Sequence, residues 1–292
     1  MVDQVDRLPL GLLGPDRSAV EHLFAALRAS VPAGRLGVAF SGGVDSSVVL
    51  ALAVAALGPG RVVAVLGVSP SLAADERSAA HDVARFVGAP VVEVVTREGE
   101  RPEYQRNGPD RCFFCKDELF TRIGADLVRS HDLAAVAYGE NADDAGRPDR
   151  PGARAATDHQ VLRPLADAGF DKAAVRRVAW AFALPSADKP AAPCLASRIP
   201  HFEEVTPAKL AQVEAAESGL RGLGLGDLRV RHHGDVARLE VPVDRIAALA
   251  ADPLRTEVLR AVRAAGFRFV ALDLAGVQSG AFTLPLVTVA HG

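Results

Sequence analysis

The stretch Phe40-Ser41-Gly42-Gly43-Val44-Asp45-Ser46-Ser47 gathers hydroxyls, glycines and a carboxylate in one short loop. The apolar run Leu36–Phe40 enters it as a strand, and Val44–Leu57 leaves it as a helix rich in alanine, valine and leucine. A helix start carries amides with no intrahelical partner and the positive end of the peptide dipole, so an anion is favoured there. The side chains of Ser41, Ser46 and Ser47 and the amides of Gly42 and Gly43 suit phosphate oxygens, and glycine lets backbone approach closely. Asp45 repels phosphate, so its role is either Mg²⁺, which bridges carboxylate and polyphosphate, or simple capping of the helix. No Gly-Lys-Ser/Thr follows, so this is not a Walker loop.

Thiols and guanidiniums supply the other chemistry. The chain has 3 cysteines, arranged as Cys112-x-x-Cys115 and the distant Cys194. Three thiolates of this kind can bind a [4Fe-4S] cluster at three corners. The spacing alone equally admits a redox pair, a zinc site completed by histidine, or buried free thiols. Arg229 and Arg231 alternate along a strand and so share a face, where paired guanidiniums suit a phosphate monoester. A lone Arg231 would read as a solvated surface residue, and Glu217 and Glu240 read as solvated helix and strand positions. Lys116 and Lys189 are candidates to polarise a carboxylate or a phosphate.

These groups need a frame. Apolar spacing predicts a helix over Arg17–Ser30, and β and α signals then alternate. Strands are expected at Arg61–Gly67, Val91–Val95 and Leu133–Tyr138, and helices at Leu72–Val87 and Cys115–Arg129. The alternation argues for an α/β fold, a parallel sheet with helices on both faces, whose ligands gather beyond the carboxyl ends of the strands. That rim takes the Ser41–Ser47 loop, Ser69-Pro70-Ser71, a polar loop over 96–111, and Gly139-Glu140-Asn141-Ala142-Asp143-Asp144, which continues as loop to Arg154. Prolines at 185, 190, 193 and 200 mark a boundary, giving domains 1–190 and 191–292. The second reads as helix Pro207–Leu220 capped by Thr206, strands Leu228–Arg231 and Val236–Val241, helices at Val243–Ala251 and Leu254–Ala265, and strand Phe267–Asp273. That order suits a smaller α+β domain.

Bulk properties narrow the classes. The chain has 292 residues, 49% hydrophobic and 24% charged, with a formal net charge of −3. Such a chain buries a large core and shows no basic block for non-specific nucleic-acid binding. The first residues have no basic start before a long apolar stretch, and no run is long and apolar enough for a membrane span. Few cysteines fit a cytoplasmic setting better than a disulfide framework.

The SGGxDS loop resembles the PP-loop of the ATP pyrophosphatase superfamily (adenine nucleotide alpha hydrolase-like), which binds leaving pyrophosphate and makes adenylates. Three further segments strongly resemble the LarE-type sulfur transferases: Arg111-Cys112-Phe-Phe-Cys115-Lys116, Asp188-Lys189-Pro190-Ala-Ala-Pro193-Cys194-Leu195-Ala196-Ser197-Arg198-Ile199-Pro200, and Arg229-Val-Arg231-His232-His233-Gly234. The resemblance runs from Val38 to about Val241, and the Pro-Cys-Leu-Ala-Ser-Arg-Ile-Pro run is its most specific part. It departs at Glu140, where relatives commonly have threonine, and at Asp158-His159, where a glutamate is more usual.

The resemblance implies an ATP- and Mg²⁺-dependent enzyme. It would adenylylate a carboxylate of pyridinium-3,5-biscarboxylic acid mononucleotide and convert it to a thiocarboxylate for the nickel-pincer cofactor of lactate racemase. Cys194 maps onto the nucleophile, which in some members gives up its own sulfur and becomes dehydroalanine. Members with three such cysteines, here Cys112, Cys115 and Cys194, resemble a class whose [4Fe-4S] cluster carries an extra sulfide. Ser197, Arg198, Arg229 and Arg231 match the substrate-phosphate contacts. A sulfide or another sulfur donor, and a homo-oligomer, a hexamer, are implied as partners. A PP-loop tRNA thiolase is the rival within this chemistry, and a nucleotide-binding module without sulfur transfer is the rival outside it.

Overall fold

The computed structural model describes residues 12, 14–145 and 151–278. In chain order its elements are α1 (Gly14–Ser30), β1 (Arg35–Ala39), α2 (Val44–Leu57), β2 (Val62–Val68), α3 (Ala74–Val87), β3 (Val91–Val95), α4 (Pro102–Gln105) and α5 (Arg111–Arg122). There follow β4 (Leu133–Tyr138), α6 (Ala142–Ala145), α7 (Pro151–Asp158), α8 (Pro164–Asp167), α9 (Lys172–Ala181) and α10 (Pro207–Gly222). The last are β5 (Arg229–His233), β6 (Val236–Glu240), α11 (Ile246–Ala250), α12 (Leu254–Ala264) and β7 (Phe269–Leu272). The described residues fall into two compact units: one from the chain up to residue 69, with 74–98 and the described part of 112–192, the other from 70–73, 99–111 and the described residues from 193 on.

The first unit is built on a four-stranded sheet of order β3-β2-β1-β4. Every pairing in it is parallel, as the alternating βα pattern requires. Side chains alternate across the sheet, so Val63 and Val65 pack with Phe120, Ile123 and Leu127 on one face. Their neighbours Leu36, Val38, Ala64 and Leu66 are fully buried on the other. Helix α2 is buried almost all round, from Val44 through Val48, Leu50 and Leu52 to Leu57, which explains its lack of a polar stripe. Helix α5 ends in a single π turn, Ile123–Leu127. A parallel α/β sheet with helices is the architecture expected from the sequence.

The region expected as one polar loop, 96–111, instead contains a 3₁₀ turn at Glu98–Glu100 and the short α4, and it ends as α5 begins at Arg111. Pro102 sits in the first turn of α4, where its missing N–H costs nothing. The stretch expected as loop up to Arg154 holds α6 and the start of α7, while residues 146–150 lie outside the described residues.

In the second unit β5 and β6 pair antiparallel and β6 and β7 pair parallel, giving the order β5-β6-β7. Thr206 caps α10 by accepting from the Lys209 amide at 3.3 Å. Leu210, Val213, Ala216 and Leu220 form the buried face of that helix, the spacing of three and four that one helical side demands. Among the described residues no helix is long and apolar enough to cross a membrane.

Candidate active site

The Ser41–Ser47 loop is a strand-to-helix turn held by its own hydroxyls. Phe40 closes β1 by donating to the Val65 carbonyl at 2.8 Å. The hydroxyls of Ser46 and Ser47 both donate to the Gly43 carbonyl, at 3.0 and 2.8 Å. The Ser46 hydroxyl also accepts from the Ser41 amide at 3.3 Å. Gly42 takes φ +71°, and a Cβ there would lie 2.9 Å from Ala80 Cα, so glycine is required twice over. Gly43 is the N-cap residue and no side chain caps α2; Asp45 therefore does not serve as a cap.

The β4 end presses against the same turn. A Cβ on Gly139 would lie 2.5 Å from the Ser46 nitrogen and 2.8 Å from the Asp45 carbonyl carbon. Two residues on, Asn141 Nδ2 donates to Asp45 Oδ1 at 3.0 Å. Asn141 is itself fixed, accepting from the Asp144 amide at 2.9 Å and donating to Asp144 Oδ2 at 3.2 Å. The second Asp45 oxygen is held by the Lys172 ammonium. A pocket of about 210 Å³ opens beside the loop, lined by Ser41, Gly43, Asp45, Ser46, Lys116 and Tyr138 among others.

Lys116 lies over the Tyr138 ring, 4.5 Å from its centroid, a favourable cation–π geometry. Helix α7 backs it, because a Cβ on Gly152 would come within 2.8 Å of Lys116 Cδ. Burial first, and then the neighbouring Glu140 carboxylate, hold the Tyr138 hydroxyl proton far above the usual phenol range. Tyr138 is therefore a neutral, apolar wall of the pocket. His159, at one of the positions that depart from the resembled family, pairs with Asp117 at 2.8 Å. Lys189 pairs with Glu76 at 2.6 Å. That ion pair occupies the ammonium considered for polarising a substrate.

Cys112 and Cys115 lie in the first turns of α5 at a spacing of three, which places both on one helix side. Cys112 is exposed, Cys115 half-buried, and neither forms a disulfide. Among the described residues no three histidine, cysteine, aspartate or glutamate side chains are gathered as a metal would require. Magnesium asks less of the protein, since it takes one or two carboxylates and fills its shell with phosphate oxygens and water. Asp45, already holding a cation in the form of the Lys172 ammonium, fits that role by charge.

In the second unit Cys194 is exposed and opens a 3₁₀ turn, Leu195–Arg198. Its support is polar and buried. Ser71 accepts the Leu195 amide at 3.0 Å, and Asn107 Nδ2 donates to the carbonyls of Ile199 and Pro200 at 3.2 and 2.7 Å. Arg198 Nη1 donates to the carbonyls of Pro193 and Cys194 at 2.5 and 3.3 Å, and to Ser197 Oγ at 3.0 Å.

Two of the three arginines expected to meet phosphate, Arg198 and Arg231, pair with the two glutamates expected on solvated faces. Arg198 forms a bidentate pair with Glu217, at 2.9 and 3.2 Å. Arg231 forms another with Glu240, at 2.9 and 2.8 Å, and also donates to the Ser197 carbonyl at 2.8 Å. Glu217 and Glu240 are only 0% and 1% exposed; buried carboxylates must be paired, and these are. Arg229 and Arg231 do share a face, for both donate to the Gln278 carbonyl, at 2.6 and 3.3 Å. Burial, then the like charges of Arg231 and Arg198, pull the proton affinity of Arg229 below that of an ordinary guanidinium. Such a site gains from an anion.

Lys172 is the main site residue that sequence reasoning missed. Its signal was a lysine immediately after the capping Asp171, at the helix end where a cation is disfavoured. Such a placement needs an anion nearby, and Asp45 is that anion.

Comparison with known proteins agrees with this geometry. Residues 19–145 match the asparagine synthase family. The chain is 40% identical over 243 residues to an uncharacterised protein of Synechocystis sp., covering 83% of this chain and 90% of that one. It is 35% identical over 246 residues to pyridinium-3,5-bisthiocarboxylic acid mononucleotide synthase of Lactiplantibacillus plantarum, covering 84% of this chain and 88% of that enzyme. An uncharacterised protein of Methanocaldococcus jannaschii is 27% identical over 169 residues, 58% of this chain and 64% of its own length. With a PP-loop on an α/β sheet and a near full-length likeness to the synthase, the chain belongs to the LarE family of PP-loop enzymes.

Proposed function

We propose that this chain is an ATP-dependent sulfur transferase that adenylylates a carboxylate of pyridinium-3,5-biscarboxylic acid mononucleotide and converts it to a thiocarboxylate for nickel-pincer cofactor biosynthesis. The observation that carries the reading is an intact pyrophosphate loop in the same chain as an exposed thiol, Cys194, whose backbone is braced by a buried arginine. The substrate class is that of the mononucleotide synthase of L. plantarum, to which this chain is similar over most of its length.

A carboxylate is a poor acyl donor because oxide leaves badly. Its oxygen attacks the α-phosphorus of ATP, the α–β phosphoanhydride bond breaks, and pyrophosphate departs. Ser41, Ser46, Ser47 and the amides of Gly42 and Gly43 would hold that leaving group. Asp45 would carry magnesium, which neutralises polyphosphate charge when bound. A sulfur nucleophile then adds to the acyl carbon and AMP leaves with the bonding pair. Arg229 is the phosphate-facing candidate, with Ser197, Arg198 and Arg231 shaping its surroundings. Cys112, Cys115 and Cys194 would be the three thiolates of a [4Fe-4S] cluster, whose chemistry is to present an added sulfide. A second reading rests on the exposure of Cys194: its own thiolate forms the thioester, and cleavage of its Cβ–S bond with loss of the Cα proton leaves dehydroalanine.

Anaerobically prepared protein, supplied with ATP, Mg²⁺, sulfide and the dicarboxylate mononucleotide, tests the proposal. Pyrophosphate, AMP and a thiocarboxylate should form in equal amounts. Iron and acid-labile sulfide in the protein, with Cys194 unchanged in mass over many turnovers, support the cluster; a single turnover with Cys194 losing the mass of hydrogen sulfide supports the sacrificial route. Pyrophosphate release without thiolated product, or thiolation of tRNA instead, overturns the substrate assignment.

A further inference from the structure

Both oxygens of the Asp45 carboxylate are engaged. Oδ1 accepts from Asn141 Nδ2 at 3.0 Å and Oδ2 pairs with the Lys172 ammonium. The two partners differ in freedom. Asn141 is locked at both ends of its amide by Asp144, at 2.9 and 3.2 Å. Apart from Asp45 itself, Lys172 is held among the described residues at its backbone, where its amide donates to Asp143 Oδ2 at 2.9 Å and Asp171 caps α9 by accepting from the Ala174 amide at 2.6 Å. Its side chain is 43% exposed, on a flexible four-carbon stem. A divalent cation competing for Asp45 would therefore displace Lys172 more readily than Asn141.

We propose that Lys172 is a counter-ion switch: it neutralises Asp45 before nucleotide binds, yields that carboxylate to the divalent cation, and turns its ammonium onto the pyrophosphate group held by the loop. The inference rests on the ATP and magnesium reading above. The displaced charge is not wasted, because Asp45 belongs to the loop that would hold the polyphosphate, so an ammonium released from one anion stays close to the other. The arrangement also keeps Asp45 from repelling an incoming phosphate before the metal arrives.

The two halves of the switch move measurable quantities in opposite directions, which a merely structural residue would not do. Calorimetric titration of inorganic pyrophosphate into the full-length protein, repeated over a series of Mg²⁺ concentrations, separates them. In Lys172→Met the Mg²⁺ midpoint should fall by about two- to fivefold, the worth of a partly exposed ion pair. At saturating Mg²⁺ the same variant should bind pyrophosphate about tenfold or more weakly, the worth of one charge-assisted hydrogen bond. Lys172→Arg keeps the charge and should hold the midpoint within about twofold of the parent. Asp45→Asn should abolish the Mg²⁺ dependence. Unchanged values in Lys172→Met, or both weakening together, overturn the role of Lys172 alone; a retained Mg²⁺ dependence in Asp45→Asn overturns the magnesium assignment and with it the exchange.

Discussion

Arg111 Nη1 donates to the carbonyl of Ala196 at 3.0 Å, in a buried contact. It holds the turn that follows Cys194 within the second unit, and the same nitrogen also holds the Asn107 side chain. Arg111→Met would leave the Ala196 carbonyl short of a donor, at a cost of about 1–3 kcal/mol. Urea unfolding should show a lower midpoint, and alkylation of Cys194 should become faster as its turn loosens. Arg111→Lys should fall between, because an ammonium cannot reproduce the guanidinium fork. Parent-like stability and Cys194 reactivity in the methionine variant would show that Arg111 does not brace the turn.

Glu217 is a heavily used carboxylate of the second unit. It accepts from Arg198 twice, from Arg221 at 2.8 Å and from the Val230 amide at 3.0 Å. Removing one member of a buried pair strands the other, so Glu217→Ala should destabilise by about 3–5 kcal/mol. Glu21→Ala makes the contrast, because the Arg17–Glu21 pair is half exposed and should cost about 0–1 kcal/mol. Equal shifts in melting temperature for the two variants would contradict the burial argument.

Glu217 and Glu240 mark where the sequence was legible and where it was not. Strands β1, β3 and β4 and helix α2 follow from local apolar runs, and the PP-loop is contiguous, so each could be read within a short window. Glu217 and Glu240 were expected in solvent because a glutamate on a helix or strand usually is. Their partners Arg198 and Arg231 lie 19 and 9 residues away, a distance at which pattern reading has no signal. Lys172 stands 127 residues from Asp45 and was missed for the same reason. The start of α5 at Arg111 was hidden by the polar, glycine- and proline-bearing stretch before it.

His232 should make stability fall in mild acid. Its ring is buried, with Nε2 at 3.1 Å from Gln212 Oε1 and an edge contact to Phe267. Burial first, then Lys209, lowers its pKa from 6.5, against an opposing effect of Glu203. Because the folded state holds the neutral ring, its stabilising effect is complete above the unfolded pKa of about 6.5 and is lost as pH falls from there towards the depressed folded value. His233, lowered by burial and Arg238, adds to the same window. Glu93, held down to about 2 by Arg77 and His81, acts only at lower pH, between its unfolded value and about 2. Urea midpoints measured from pH 7.5 to 5 should decline, and His232→Gln should flatten the slope. A parent-like slope in that variant would assign the effect elsewhere.

Gly139→Ala should separate the pyrophosphate loop from the stability of the fold. The added methyl would meet backbone, the Ser46 nitrogen at 2.5 Å and the Asp45 carbonyl carbon at 2.8 Å, so neither side can yield by turning a side chain. The β4 end and the first turn of α2 must move apart, displacing Asp45, Ser46 and the Asn141 contact together. Overpacking of this size costs about 1–3 kcal/mol, which leaves the protein folded. A shift near 1 Å in groups that position a reacting phosphate can lower rate about 100-fold, so pyrophosphate release should nearly vanish while iodoacetamide still reaches Cys194 at the parent rate. Gly60→Ala is the matched control, since nothing lies within 4 Å of its added methyl and both readouts should stay at parent values. Normal pyrophosphate release in Gly139→Ala would mean that the close packing of Gly139 on α2 does not hold the loop in its working shape.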